Sequence, residues 1–590
     1  MTQSKTKTGP VIVEMEGNTA PEREIGGWPN LVQIADLAIG HFNEICDPKH
    51  HYVPYVGGTL GWRKPAFNHH RWDWIEVLPY PILGRIAARR VTGNRQGAEI
   101  EIRQRQLLLS SFHNLDGFAY PHYAEGWSDQ TNLCIWEQGR VMFALLAWFE
   151  ESGDERLLEY VRRIVRALMN ISHKPGPHRR IRPPYDRNGA FQELSPVSLV
   201  ECLAKYGQIT GDSDAIDLCD GIVHSLLNAK SKFTDDKYRF SGSLRGVAAA
   251  IAGITRFAAY VNDDKLLDQA EAMFRSAQHL ISRSGATPEE EPCCTLMEMT
   301  TAGLTLTRQG RGQWWDMIDR YFRNQVVACQ FHDTSAVHVG CVDGEPKPWD
   351  DTRDILNRSI GGFLWASPYE VLCWQRRLML CCSGHALWTL GKICEHAVTE
   401  DHQGISINLH FSLDTPLASI THHEPFDGLL EVVPQRGGTV KIRKPLYAKK
   451  LTAEIDGVPA RPNVRNGYLV FDAVNPHARI KLSYELPEKT TEEVVRLPQQ
   501  KGGGRGRYCG DKSDPVVAHR IPTKWRGNTV LAIDYANSHS MLSAARSADI
   551  GDTGPYPKHR LYADRMDRLD RGAGRSDRVA FFLPATRFEW

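Results

Sequence analysis

Two short stretches carry the residues best suited to chemistry: Glu291-Pro292-Cys293-Cys294 and, about ninety residues later, Cys381-Cys382. Thiolates together with a carboxylate suit a tetrahedral zinc ion. In an extended segment entering a helix, alternate residues point the same way, so Glu291 and Cys293 can reach one ion. Neighbouring thiols on a helix diverge by about 100°, so Cys381 and Cys382 share an ion only at a turn or a helix end. Buried cysteines acting as small apolar residues give the same spacing, and the residues alone leave both readings open.

Around these stretches lie further candidates. The chain has 15 tryptophans, many beside His, Asp or Gly, as in His70-Arg71-Trp72-Asp73-Trp74. Indole faces stack on the C–H faces of sugars, so a carbohydrate cleft is one reading and aromatic lining of a large barrel is the other. Trp72, Trp136 and His70 are the substrate contacts this reading selects. His385 lies four residues after Cys381, where it either faces a metal or makes a structural hydrogen bond. Arg179, Arg180 and Arg182 read as surface charge or as partners of an acidic sugar.

These residues need a scaffold, and the apolar spacing supplies one. Helical periodicity runs from Trp28, with Pro29 in a first turn, and again over Asp73 to Val91, where Pro79 and Pro81 are expected to kink it. Turn signals at Gly93, Gly153, Gly211, Asn262 and Gly310 each separate two apolar helical segments. Glycine and asparagine tolerate the positive φ of a helix C-cap. A repeat of roughly 50–60 residues, each a helical hairpin, predicts a closed array of about six hairpins. After His402 the pattern becomes short alternating strands, from Gly404–Phe411 to Ala478–Tyr484, with a hairpin turn at Asp456-Gly457. The expected fold is therefore multidomain, an (α/α)6 barrel followed by all-β sandwich. Its expected divisions are an N-terminal extension (1–27), the barrel (28–400), a β-sandwich (401–490) and a C-terminal linker with β-rich segment (491–590). Within the last, Lys501-Gly502-Gly503-Gly504 reads as a flexible connection.

In this order the motifs resemble glycoside hydrolase family 127, the β-L-arabinofuranosidase family, over roughly Trp28 to Leu486. Glu291-Pro292-Cys293-Cys294-Thr295 is similar to the family's Glu-Thr-Cys-Ala-Ser, and Cys381-Cys382-Ser383-Gly384-His385 to its Cys-Cys-Pro-Pro-Asn. Asp316-Met317-Ile318-Asp319-Arg320 with Asn324 is similar to a helix between them. The resemblance implies a zinc ion on Glu291, Cys293, Cys381 and Cys382, with Cys381 also the nucleophile of a retaining furanosidase. It also implies a general acid upstream of Glu291, where this chain is shortened and reads Ser284-Gly285-Ala286. Glu289 and Glu290 are the nearest carboxyls, and Glu289 is the expected acid. Cys294 is either a spare thiol or a replacement ligand. The family's sugar-contacting histidines have no counterpart at Gly242-Ser243 or in Leu133 to Arg140.

Composition narrows the partners. With 24% charged residues, a formal net charge of +1 argues against nucleic acid or an anionic membrane, and no apolar stretch of about twenty residues spans a bilayer. The polar stretch Met1 to Pro21 is unlike a signal peptide, and 13 cysteines is an odd number, so reduced thiols in the cytoplasm are expected. The expected activity is release of a terminal sugar from an oligosaccharide by a zinc-dependent, cysteine-nucleophile hydrolase, with two copies able to associate through the β domains. The alternatives are a barrel-type lyase or epimerase acting on an acidic sugar, and a non-catalytic, zinc-stabilised carbohydrate-binding protein.

Overall fold

The computed structural model describes residues 25–121, 133–181, 196–228, 233–235, 237–240, 243–287, 291–332, 334, 337, 339–340, 344–365, 377–498, 516–533 and 575–576. Its helices are, in chain order, α1 (Leu31–Glu44), α2 (Pro79–Thr92), α3 (Ala98–Ser110), α4 (Ile135–Ser152), α5 (Arg156–Asn170), α6 (Val197–Thr210), α7 (Ser213–Leu227), α8 (Leu244–Val261), α9 (Asp264–Gln278), α10 (Pro292–Arg308), α11 (Trp315–Arg320), α12 (Ile355–Arg358) and α13 (Leu380–Ala397).

Burial patterns sort these helices into two layers. In α8 every residue from Leu244 to Ala258 is buried, as a helix surrounded on all sides must be. By length and hydropathy α8 could cross a membrane, but 78% of that stretch is buried inside the protein. In α5 the buried residues are Leu157, Val161, Ile164, Val165, Ala167 and Leu168, one face of the helix, and the arginines lie elsewhere. The largely buried helices α2, α4, α6, α8, α10 and α13 pack each against the next, and α13 closes the ring on α2. The others form the outer layer: α5, α7 and α9 lie on the inner helices that precede them, and α1 lies over α2 and α13. This is the double-layered helical barrel expected from the hairpin repeat.

The hairpin turns fall where the sequence placed them. Gly93, Gly153, Gly211, Asn262 and Gly310, at the ends of α2, α4, α6, α8 and α10, all have φ between 54° and 70°. Asp212 and Asp263 then start the outer helices α7 and α9, accepting hydrogen bonds from first-turn amides. The prolines behave differently from expectation. Pro29 precedes α1, whose N-cap is Asn30, accepting from Gln33 N at 3.0 Å. Pro79 is the first residue of α2, where its missing N–H costs nothing. Before it, Asp73–Val77 forms one wider π turn.

From Val398 the chain is β. The strands Val398–Asp401, Gly404–Ile407, Gly438–Arg443, Tyr468–Val474 and Asn463–Arg465 form one sheet. A six-stranded sheet includes Ala418–His422, Leu429–Pro434, Ile480–Glu485 and Lys449–Ile455. The sheets share an apolar core of alternating residues such as Ile405, Ile407, Val440, Leu430, Val432 and Ile480. A third sheet, Glu488–Pro498, Val516–Arg526 and Thr529–Ile533, docks on the barrel through buried polar groups. Asn528 Nδ2 donates to Asp316 Oδ1 (2.9 Å) and Asp319 Oδ2 (2.8 Å), while Asn324 binds the backbone of Asn528 and Val530. Glu493 accepts from Ser284 N at 2.9 Å, bracing the short loop that leads toward α10.

Candidate active site

The N-terminal turns of the inner helices bring chemistry-bearing side chains to one end of the ring. Thiols come from α10 and α13. Pro292 opens α10 immediately after Glu291, which is held in the left-handed region at φ 65°. The segment is thus helical, not extended, from Pro292 on, and Cys293 and Cys294 point about 100° apart. Cys294 faces α13 and Cys293 does not. Cys293 instead lies against Cys329, and the Cys329 thiol and burial together hold it above the ordinary thiol range.

Cys381 and Cys382 occupy the first turn of α13, the helix-end position that lets neighbours converge. Gly384, one turn on, is required there: a Cβ would sit 2.7 Å from Tyr80 Cβ of α2. The sulfurs of Cys294, Cys381 and Cys382 lie within 4.8 Å of one another, and Cys294 and Cys382 are 3.9 Å apart. Among the described residues every cysteine is buried. Cys381 is the exception within the trio: it retains 5% exposure, while Cys294 and Cys382 have none. Hydrogen bonds from the Cys294 and Cys382 thiols, opposed by burial and aided by Arg245, hold Cys381 well below the usual thiol range. The N-terminal dipole of α13 acts in the same sense.

Beside the thiols lies a network of carboxyl and guanidinium groups. Arg245, in the first turn of α8, pairs with Glu291 at 2.5 Å and Glu76 at 3.6 Å, and donates to Tyr80 OH at 3.0 Å. Trp136, at the start of α4, donates from Nε1 to Glu76 Oε1 at 3.2 Å, and the guanidinium groups of Arg140 and Arg245 lie 4.6 Å and 5.3 Å from the centre of its ring. Burial pushes the Glu291 carboxyl up to about 7 against the pull of Arg245, with Cys381 and Glu76 adding to the rise. Glu76 is also raised, by burial first, with Arg245 opposing and Cys381 reinforcing. Deeper in α10, Glu298 faces Arg140 at 3.7 Å, and burial raises it to about 7. His385 is buried edge-on to Tyr80, with neither ring nitrogen hydrogen-bonded within the protein.

Solved structures share this architecture. A GH127 β-L-arabinofuranosidase from Geobacillus Stearothermophilus T6 aligns with TM-score 0.52 and 13% identity, over 85% of this chain and 80% of that one. A second GH127 β-arabinofuranosidase aligns with TM-score 0.51 and 12% identity, over 85% and 81%. The chain has the GH127 fold. No family model matches the sequence, and no curated protein matches it.

On the GH127 fold, the residues expected from sequence fall in different places. Cys381, Cys382, Glu291 and Trp136 come together at the ring's N-terminal end. Cys293 is displaced by Cys294, and Glu291 is engaged by Arg245 outside the three-sulfur group. Trp72 and His70 pack on each other at 4.3 Å ahead of the π turn. Glu289 lies outside the described residues. The sequence reading missed Glu76, Tyr80, Arg140 and Arg245. For the two arginines a signal was available, since Arg140 is the one cation of α4 and Arg245 one of two in the largely apolar α8, and such positions are rarely buried without a partner.

Proposed function

We propose that the chain is a glycoside hydrolase that attacks the anomeric carbon of a terminal sugar with the Cys381 thiolate. The observation that carries this reading is the convergence of the Cys294, Cys381 and Cys382 sulfurs at the helix N-termini, where Cys381 alone of the three residues keeps residual exposure. In the first step Cys381 Sγ forms the bond to the anomeric carbon as the glycosidic bond breaks, and a carboxylic acid protonates the leaving oxygen. Glu76 is the best-placed described donor for that proton. Burial keeps its acid form available, and Trp136 Nε1 fixes one of its oxygens. In the second step Glu76, now ionised, takes a proton from water, which displaces the sulfur and releases the sugar with retained configuration. Arg245 balances Glu291 and Glu76 and keeps the carboxyl nearest the thiols from repelling the nucleophile.

The donor set also fits zinc. At a zinc–sulfur distance of about 2.3 Å, tetrahedral thiolates lie about 3.8 Å apart, close to the 3.9 Å between Cys294 and Cys382. Cys294, Cys381 and Cys382 would hold the ion, which would supply deprotonation of the thiols at neutral pH. The fold likeness to β-L-arabinofuranosidases makes aryl furanosides the first substrates to test. Loss of turnover in Cys381→Ser, with the fold retained by circular dichroism, is the expected result. A wild-type protein inactive on all furanosides and pyranosides, or one that releases ultraviolet-absorbing unsaturated sugars, overturns the reading in favour of binding or of elimination.

A further inference from the structure

A second group of ligand-type side chains lies away from the thiols, in the loops ahead of α2. Asp47 caps a 3-10 turn, Pro48–His50, accepting from Lys49 N at 2.9 Å. In a 3-10 turn residues three apart eclipse, so His50 returns over Asp47, with Nδ1 at 2.6 Å from Asp47 Oδ2. From the other side, after the strand Ala66–Asn68, comes His69, with Nε2 3.3 Å from the same oxygen. Its other nitrogen, Nδ1, is 2.6 Å from Asp73 Oδ2, which also accepts from His70 N at 2.9 Å. Tyr55 lies over the His69 ring at 4.0 Å and fixes its plane. His69 and Asp73 have no side-chain exposure, Asp47 has 8% and His50 27%.

We propose that Asp47, His50 and His69 form a binding site for a divalent transition metal such as zinc, separate from the thiol group. The three donor atoms lie within 4.8 Å of one another. The arrangement has the outer support that metal-bound imidazole needs: the Nδ1–H of His69 donates to Asp73, which sets the tautomer and leaves the Nε2 lone pair facing Asp47. Tetrahedral ligands at about 2.0–2.1 Å from zinc are about 3.3 Å apart. The His69–Asp47 separation already has that value. The His50–Asp47 pair must open by roughly 0.7 Å to match, a small swing of the more exposed ring. Two imidazoles and a carboxylate leave a fourth position open on the His50 side, for water. His51 and Tyr52, directly after His50, both have positive φ (56° and 60°), a strained backbone of the kind that a ligand can hold in place. The cation ties the 46–50 turn to the π turn that Asp73 opens, and that turn carries Glu76 three residues on. It therefore acts as a positioning element behind the active site.

Without a cation the same geometry is a protonated His69 held between two carboxylates, and the test must separate the two. Zinc bound per chain is measured on the full-length protein and on Cys294→Ser/Cys382→Ser. The expected result is that the double variant retains one zinc ion, and that His69→Gln or Asp47→Asn in that background weakens binding at least tenfold. Asp73→Asn should weaken it by about 10–100-fold. As a check that does not depend on the variants folding, cobalt added to the wild-type protein should give d–d bands of a nitrogen- and oxygen-ligated ion besides any sulfur charge-transfer band. A folded double variant that binds no zinc, zinc binding unchanged by His69→Gln, or a cobalt spectrum with sulfur-ligated features alone overturns the proposal. None of these readouts depends on turnover, so they stand apart from the hydrolase reading.

Discussion

At the N-terminal ends of the inner helices, carboxyls are pushed toward neutrality and the Cys381 thiol is held below its usual range. At the opposite ends, next to the β-sandwich, a cavity of about 1220 Å³ is lined by residues that include Arg308, Glu395, His396, Asp401 and Lys441. There Glu395 is held well below the carboxylate range. Burial alone would raise it, but Lys392, at 3.0 Å, and His396 outweigh burial, and Lys441 answers Asp401 at 2.9 Å. Helix dipoles account for part of the contrast, since helix N-termini favour anions, as at Cys381, and C-termini favour cations such as Arg308. That space thus holds carboxylates matched by nearby cations. The N-terminal end holds carboxyls raised toward neutral pH, which is what proton transfer requires.

Variants at the two ends should separate them. Cys381→Ser is expected to lower kcat by roughly 10⁴-fold or more, read on an aryl furanoside. Glu76→Gln is expected to cost about 10²–10⁴-fold, with the larger loss on poor leaving groups and the alkaline limb of the pH profile abolished. If activated aryl and alkyl leaving groups suffer equally, Glu76 is not the acid. At the far end, Glu395→Gln and Lys441→Ala should leave kcat within about twofold, since their partners are Lys392 and Asp401 and neither touches the thiol end. A loss there comparable with that of Glu76→Gln would collapse the distinction.

Stability offers two further tests. Asp319→Ala leaves the Arg323 guanidinium, which is paired at 2.9 Å and has no exposure, buried without its partner. The expected loss is about 3–5 kcal/mol in denaturant unfolding. Glu298 gives the pH test. Its folded value, raised by burial from 4.5 to about 7, means that the native state binds more protons than the unfolded chain between those values, so stability falls as pH rises through that window. Glu298→Gln removes that slope. Relative to wild type, the variant should gain on the order of 2 kcal/mol between pH 4.5 and 7, and parallel pH profiles would show that Glu298 stays charged in the fold.

Much of the scaffold is legible in the sequence because its punctuation is steric. Gly93, Gly153, Gly211, Asn262 and Gly310 mark turns because a helix cap at positive φ excludes most other residues. The strands from Gly404 to Tyr484 are legible because one face of each is buried and the next residue is not. The site is only half legible. That cysteines of α10 and α13 meet follows from the closed ring. Which of Cys293 and Cys294 takes part depends on the residue at which α10 starts turning, and Pro292 starts it one residue earlier than an extended entry allows. Glu76 was hidden for a similar reason: the π turn of Asp73–Val77 rotates it inward, and residue spacing cannot reveal an extra residue in a single turn. Asn528 was hidden because its partners are distant in sequence and its role depends on a sheet whose docking only the tertiary structure specifies.

The closure of α13 on α2 also sets an order of events during synthesis. Roughly three hundred residues separate the two helices, and at ~5–20 residues per second the ribosome needs on the order of 15–60 seconds to span that gap. Until then the inner face of α2, with Tyr80 and the turn carrying Glu76, has no neighbour on one side. The thiol trio cannot assemble either, because two of its members emerge last. The nascent chain therefore carries an open apolar seam for most of its synthesis. Chaperone demand should be concentrated before α13 emerges, and the reactive sulfur centre forms only as the ring shuts.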